Sequence, residues 1–215
     1  MDLRQLKIRV NFIFDLASDF LPEFLRRGDE RAERLARAPL PFAPGFEEME
    51  GVIIVDVCRR AGWTVDTVGL QPGLVTASRG VRMQPDLVWA ASAPETYDLL
   101  ILPGGAGGVA ALMADARVLA AIRAFDKAGK WIGAICAAPL ALQAAGILTA
   151  GRAITCHPAV AEKITAVPRQ SASTVAEGHL ITSQGPGTTF EFALTLVRLI
   201  DGAEAAARLA RSLVL

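Results

Sequence analysis

From about residue 39 onward, short apolar runs alternate with segments of helical spacing, and this alternation constrains the chain more than any other feature. Strands and helices in turn imply βαβ units, whose crossovers cover both faces of a parallel sheet. Residues 47–61 (EEMEGVIIVDVCRRA) place Met49, Val52, Ile53 and Val57 at helical spacing, with Arg59 and Arg60 in the last turn and Gly62 as a stop. WTVDTVGL reads as a strand, and VTASRGV as a second strand running into a loop. DLLILPGG is a buried strand closing in a Pro-Gly-Gly turn, and DARVLAAIRAFDKAG is a helix with Asp115 as N-cap and Gly129 as stop. KWIGAI is the next strand and AAPLALQAAG the next helix. Residues 173–183 predict a hairpin turning at Glu177-Gly178, and Thr188 with Glu191 has capping-box spacing ahead of a long helix.

Composition excludes several partners. The 22 basic and 22 acidic residues cancel, which gives no long-range attraction to nucleic acid or anionic lipid. Three cysteines (Cys58, Cys136, Cys156) are an odd number without the density of a disulfide scaffold, so free thiols in a reducing, cytoplasmic setting are expected. MDLRQLKIRVNFIF lacks the apolar core and cleavage site of a signal peptide. Trp131 to Gly151 carries no charge, but Gly133, Pro139, Gln143 and Gly146 divide it into strand, turn and helix rather than a membrane span. Residues 1–37 stand apart as an extension, open to three readings: an added strand and helix, a partner-binding arm, or a misassigned start. The main domain is expected over 38–215.

In KWIGAICAAPLAL a buried strand ends at Ile135 and a helix begins just after Cys136. A strand–nucleophile–helix elbow holds a side chain out at the carboxyl edge of a sheet, and the small neighbours Ala134, Ala137 and Ala138 suit so crowded a turn. A helix N-terminus there favours thiolate over thiol. The alternative is a buried structural cysteine. Gly104 and Gly105 close the neighbouring strand, where backbone N–H groups can form an oxyanion hole; the spacing is not that of a phosphate loop. Glu47, Glu48 and Glu50 cluster at a helix N-terminus, either for the dipole or with one carboxylate aimed at Cys136. His157 follows the strand RAITC and is structural or catalytic; His179 falls in the hairpin, at the surface. Cys58 reads as core packing, and Cys156 as packing or as a resolving thiol. Thiol, carboxylate, imidazole and glycine turn thus converge on the edge where open α/β sheets bind ligands.

GFEEMEGVIIVDVCRRAG, YDLLILPGG, GKWIGAICAAP, GRAITCHP and LITSQGPGTTFEFAL resemble the successive signatures of the ThiJ/PfpI superfamily, in the branch of the Parkinsonism-associated protein deglycase and its bacterial homologues. The resemblance runs from about Pro39 to the C-terminus. It implies a flavodoxin-like three-layer α/β sandwich with a mostly parallel central sheet, assembled as a homodimer. It places the nucleophile on Cys136, a protonated carboxyl partner on Glu50 and the family histidine on His157. It assigns oxyanion-hole N–H groups to Gly105 and Ala137, an anion pocket to Arg60 and Arg79, and a residue reaching in from the partner subunit to Pro186. Three departures stand out: Pro39 and Pro41 lie in the first strand, the N-terminal extension has no counterpart, and Gln184 replaces an arginine in the SRGPG signature.

The activity this implies is a cofactor-free, metal-free cysteine enzyme acting on small α-oxoaldehydes, glyoxalase III-like or deglycase-like, on a free aldehyde or a glycated substrate. The rival is an oxidative-stress sensor or redox-regulated chaperone using the same thiol. A peptidase or amidotransferase shares the elbow, but His157 is followed by Pro158 and Ala159, not by the His-x-Glu dyad an amidotransferase needs.

Overall fold

A computed structural model describes residues 36–89 and 96–215, and residues Ala36–Leu215 form one compact unit. The expectations for residues 1–35 lie outside the described residues. Strand β1 (Arg37–Phe42) is followed by helix α1 (Glu48–Arg60) and β2 (Thr64–Gly69). Three two-residue strands come next: β3 (Val75–Thr76), β4 (Arg82–Met83) and β5 (Leu87–Val88). Then follow β6 (Leu99–Leu102), α2 (Ala106–Ala114), α3 (Ala116–Lys127), β7 (Trp131–Ile135) and α4 (Pro139–Ala144). A 3-10 turn at Pro158–Lys163 precedes the hairpin β8 (Thr174–Glu177) and β9 (Leu180–Ser183). A second 3-10 turn, Pro186–Thr188, leads into α5 (Thr189–Ile200) and α6 (Ala203–Ser212).

Hydrogen-bonded ladders run β1-β2-β5 and β6-β7-β9-β8, all parallel except the β8–β9 hairpin. β1 lies beside β6, and the prolines explain why no ladder joins them. In a parallel strand each residue directs its N–H and C=O to one neighbour, and successive residues alternate. Ala36 O accepts from Thr64 N–H in front of β2, whereas Arg37 N–H donates to Asp98 Oδ2 and Arg37 O accepts from Asp98 N–H on the β6 side. Pro39 and Pro41 share the parity of Arg37, so the donors they lack are those that would face β6. Ala38, Leu40 and Phe42 keep theirs for β2.

Period-2 alternation divides the core. Leu99 and Ile101 of β6 pack with Ile54, Val57, Phe192, Leu196 and Leu209 under α1, α5 and α6. Leu100 and Leu102 pack with Val109, Leu112, Ile122, Phe125 and Leu142 under α2, α3 and α4. The result is the flavodoxin-like three-layer sandwich.

Several local expectations need correction. VTASRGV forms a short antiparallel hairpin, β3–β4, instead of joining the main sheet. Thr188 makes no side-chain cap; its hydroxyl bonds Ser183 Oγ and Gly185, and Glu191 accepts from Ser173 instead. Asp115 does cap α3, accepting from Arg117 N–H. On α1 the apolar Met49 and Val52 face outward (55% and 46% exposed), while Glu50 and Cys58 are buried. His179 is not a free surface residue: its Nε2 lies 2.9 Å from Asp126 Oδ1, which also accepts from Arg152. Among the described residues no helix is long and apolar enough to cross a membrane.

Candidate active site

Cys136 is the residue after β7, and its φ of +64° puts a β-carbon-bearing residue in the left-handed region. Two hydrogen bonds hold that backbone: Cys136 N–H donates to Ser183 O (2.9 Å), and His157 N–H donates to Cys136 O (2.8 Å). The strain is thus imposed by the ends of β9 and of the 154–157 segment, and it lifts the side chain out of the strand as an elbow requires.

Beneath it stands Glu50 in the first turn of α1, with no solvent exposure. Its Oε2 accepts from Gly104 N–H at 2.7 Å. Oε1 is buried without a geometrically complete hydrogen bond, and the carboxyl interacts with the Cys136 thiol. An oxygen left unpaired in the interior is costly, and a proton on it, shared with the sulfur, removes that cost. Burial raises the Glu50 carboxyl from its ordinary 4.5 to about 7; the Gly104 N–H and the thiol oppose this, and the charge of Glu47 adds to it. Burial likewise pushes the Cys136 thiol up to about 12, reinforced by the negative charge of Glu50 and opposed by the N–H groups of Gly105 and Ala137. This reverses the expectation that a helix N-terminus lowers the thiol. α4 begins only at Pro139, and desolvation beside a carboxylate outweighs the two N–H groups. Glu50 and Cys136 therefore titrate as one coupled pair, in which a thiolate is less costly when Glu50 holds the proton than when it is charged.

The glycine turn makes this packing possible. A Cβ on Gly104 would lie 2.5 Å from Cys136 Cβ and 2.8 Å from Glu50 Oε2. Gly105 adopts φ +87° with Gly45 O only 2.4 Å from where its Cβ would be. The N–H of Gly104 is committed to Glu50, so the donors at the sulfur are Gly105 and Ala137, and Gly104 is not one of them.

His157 is half-buried. Its Nδ1 accepts from Ala159 N–H (3.2 Å), which assigns the proton of the neutral ring to Nε2. Cys156, its neighbour, is fully buried and raised by desolvation, with Arg169 opposing, so packing describes it better than a resolving role. Arg60 departs from expectation: it is exposed, pairs with Asp56, and sits ten residues beyond Glu50, about 15 Å along the helix. It does not line the pocket of its own chain. Arg79 belongs to the exposed tip of the β3–β4 hairpin, whose Ser78 hydroxyl contacts Glu47 and Glu48 and whose Arg79 N–H donates to Glu48. Gln184 spends its amide on the carbonyls of Ser171 and Ala172. Pro186 follows Gly185, a residue the sequence reading passed over; a Cβ on Gly185 would stand 3.1 Å from His157 Cδ2 and 3.9 Å from Cys136 Sγ. A Gly-Pro-Gly directly after a strand is the signal that could have marked it. Among the described residues no three His, Cys, Asp or Glu side chains are placed to share a metal ion.

Comparison with known proteins agrees with this fold. The DJ-1/PfpI family model matches residues 36–199. The Parkinson disease protein 7 homolog of Danio rerio is 41% identical over 186 residues, covering 83% of this chain and 97% of the relative. The glutathione-independent glyoxalase DJR-1.2 of Caenorhabditis elegans is 36% identical over 161 residues, covering 74% and 84%. The crystal structure of Drosophila melanogaster DJ-1beta superposes with a TM-score of 0.81 at 37% identity, over 85% of this chain and 99% of that one. With a family match over most of its length, relatives near 40% identity and a shared fold, the chain belongs to the DJ-1/PfpI family.

Proposed function

We propose that the chain is a cofactor-free cysteine enzyme converting small 2-oxoaldehydes such as methylglyoxal to hydroxy acids, as a glyoxalase III-like or deglycase-like activity against carbonyl stress. The observation that carries this is the Cys136 sulfur, raised on a strained elbow between a buried carboxyl of pKa about 7 and two backbone N–H donors. A relative named as a glutathione-independent glyoxalase supports the same class. In the first step Glu50 takes the thiol proton and the sulfur attacks the aldehyde carbon to give a hemithioacetal. The N–H groups of Gly105 and Ala137 stabilise the alkoxide. Glu50 or His157 then moves a proton from the aldehyde carbon to the adjacent carbonyl carbon. The first carbon is oxidised as the second is reduced, so electrons balance within the substrate, and water releases lactate from the thioester. Arg79, on the exposed tip of the β3–β4 hairpin, is the cation assigned to attract an anionic substrate group. Met49 and Val52, apolar on the outer face of α1, support a homodimer in which Pro186 reaches toward the partner's site. Methylglyoxal consumption with lactate detection, without glutathione, tests the reading. Wild-type turnover that vanishes in Cys136→Ala supports it, and full activity in that variant ends it.

One observation favours a second use of the same atom. A protonated Glu50 and the two N–H groups would also hold the oxygens of a Cys136 sulfinate, the product of two successive peroxide oxidations. Intact mass after mild peroxide reads this directly: a gain of two oxygens on Cys136 supports sensing, and an unmodified thiol removes it.

A further inference from the structure

Gly185 is buried, and the position of its missing Cβ borders the Cys136 sulfur and the edge of the His157 ring. Among the described residues, and apart from its chain neighbours, the only heavy atoms within 4 Å of that point are His157 Cδ2, close at 3.1 Å, and Cys136 Sγ at 3.9 Å. Its backbone is extended, with φ 162°, so the glycine is not there for a turn that other residues cannot make. Nor can the segment retreat. Thr188 Oγ1 bonds both the N–H and the O of Gly185, Thr188 N–H donates to the same O, and Thr189 Oγ1 holds Gly185 O and Pro186 O. Ser183 Oγ, 2.7 Å from Thr188 Oγ1, ties this brace to the end of β9.

A carbon attacked by the sulfur approaches to about 3–3.5 Å before the bond forms. A group attached to that carbon lies about one bond further out, in the shell that a Cβ on Gly185 would crowd. We propose that Gly185 is the specificity-determining wall of the Cys136 site: its bare Cα leaves room beside the thiol and His157 for one further substituent of about methyl size on the attacked carbon, besides the carbonyl group that carbon already carries, and sets the upper limit on that further substituent. The proposal deepens the oxoaldehyde reading and rests on it for the identity of the substrate, but the wall itself is measurable without turnover.

The test uses the full chain and two alkylating reagents, iodoacetamide and 2-iodopropionamide, which carries one more methyl on the attacked carbon. Rates at Cys136 are read by mass spectrometry and normalised to free cysteine. Gly185→Ala is expected to lower the propionamide-to-acetamide ratio about tenfold or more, the discrimination one methyl group commands in a closed pocket. Gly187→Ala, two residues on with nothing within 4 Å of its Cβ position, is expected to keep the wild-type ratio. Equal slowing of both reagents in Gly185→Ala, no slowing of either, or the same shift in Gly187→Ala would overturn the proposal. Should Gly185→Ala not fold, a larger reagent series on the wild type decides: a steep fall in rate beyond methyl size supports the wall, and rates parallel to those of free cysteine overturn it. An alkylation shift without aldehyde turnover in the wild type would leave the wall standing and remove the oxoaldehyde reading.

Discussion

Cys136 and Cys58 carry the same thiol, and burial pushes both upward. Cys58 sits on the buried face of α1 among apolar neighbours, with no solvent exposure and ordinary helical backbone. Cys136 is partly exposed, strained at φ +64°, and faced by Glu50, which is held on the same helix as Cys58 two turns earlier. What separates an inert thiol from a candidate nucleophile is therefore not desolvation, which they share. It is a buried proton acceptor in contact with the sulfur, its own pKa raised above the ordinary carboxylate range, with donors aimed at the charge that would form.

The comparison breaks most sharply at the sulfur. Cys136→Ala is expected to abolish both turnover and rapid alkylation while the far-UV spectrum stays unchanged; Cys58→Ala keeps both and costs about 1 kcal/mol in a denaturant melt, for one buried atom removed. Next comes the shared proton. Glu50→Gln keeps the shape and the Gly104 hydrogen bond but cannot take the thiol proton, and turnover should fall about 100-fold; wild-type rates would refute Glu50 as acid–base partner.

Glu50 also gives a stability signature that Cys58 lacks. Its folded pKa, about 7, lies above the ordinary 4.5, so between these values the folded state binds the extra proton. Stability is then full below about pH 4.5, declines as pH rises to about 7, and levels off, by a few kcal/mol in order of magnitude. Glu50→Gln should flatten that slope and melt above wild type at pH 8; identical profiles would show that Glu50 is not buried as a neutral acid. The smallest effect is expected at Arg60. Exposed and paired with Asp56 at the far end of α1, Arg60→Ala should change stability by less than about 0.5 kcal/mol and leave alkylation of the monomer untouched. A large loss of turnover on that substitution would mean Arg60 serves a neighbouring subunit's site.

Much of the architecture was legible because it is written locally. The βαβ alternation, the Asp115 cap, the β8–β9 hairpin and the strand–Cys136–helix turn each depend on residues within a few positions of one another. The misses share the opposite cause. The spacing of Met49, Val52, Ile53 and Val57 predicts an apolar face on α1, yet Met49 and Val52 face outward and Glu50 turns inward because the sheet edge beneath it supplies the Gly104 N–H. Thr188 has capping-box spacing, but the hydroxyl of Ser183 and the main chain of Gly185 hold its side chain instead. Arg60 matched a motif by sequence order, but helix length carries it away from the carboxyl edge.

The sequence by itself determined the alternating α/β fold, the elbow at Cys136 and the two prolines, Pro39 and Pro41, that limit the ladder bonds of the first strand, because periodicity and turn chemistry act over one or two elements. Only the tertiary structure decided which of three glutamates meets the thiol, in which direction both groups titrate, and that Gly185 opens the space beside His157. Those outcomes depend on desolvation and on contacts between residues 50 and 104, 136 and 157, or 157 and 185, and the strength of a charge or a gap is set by what surrounds it in space.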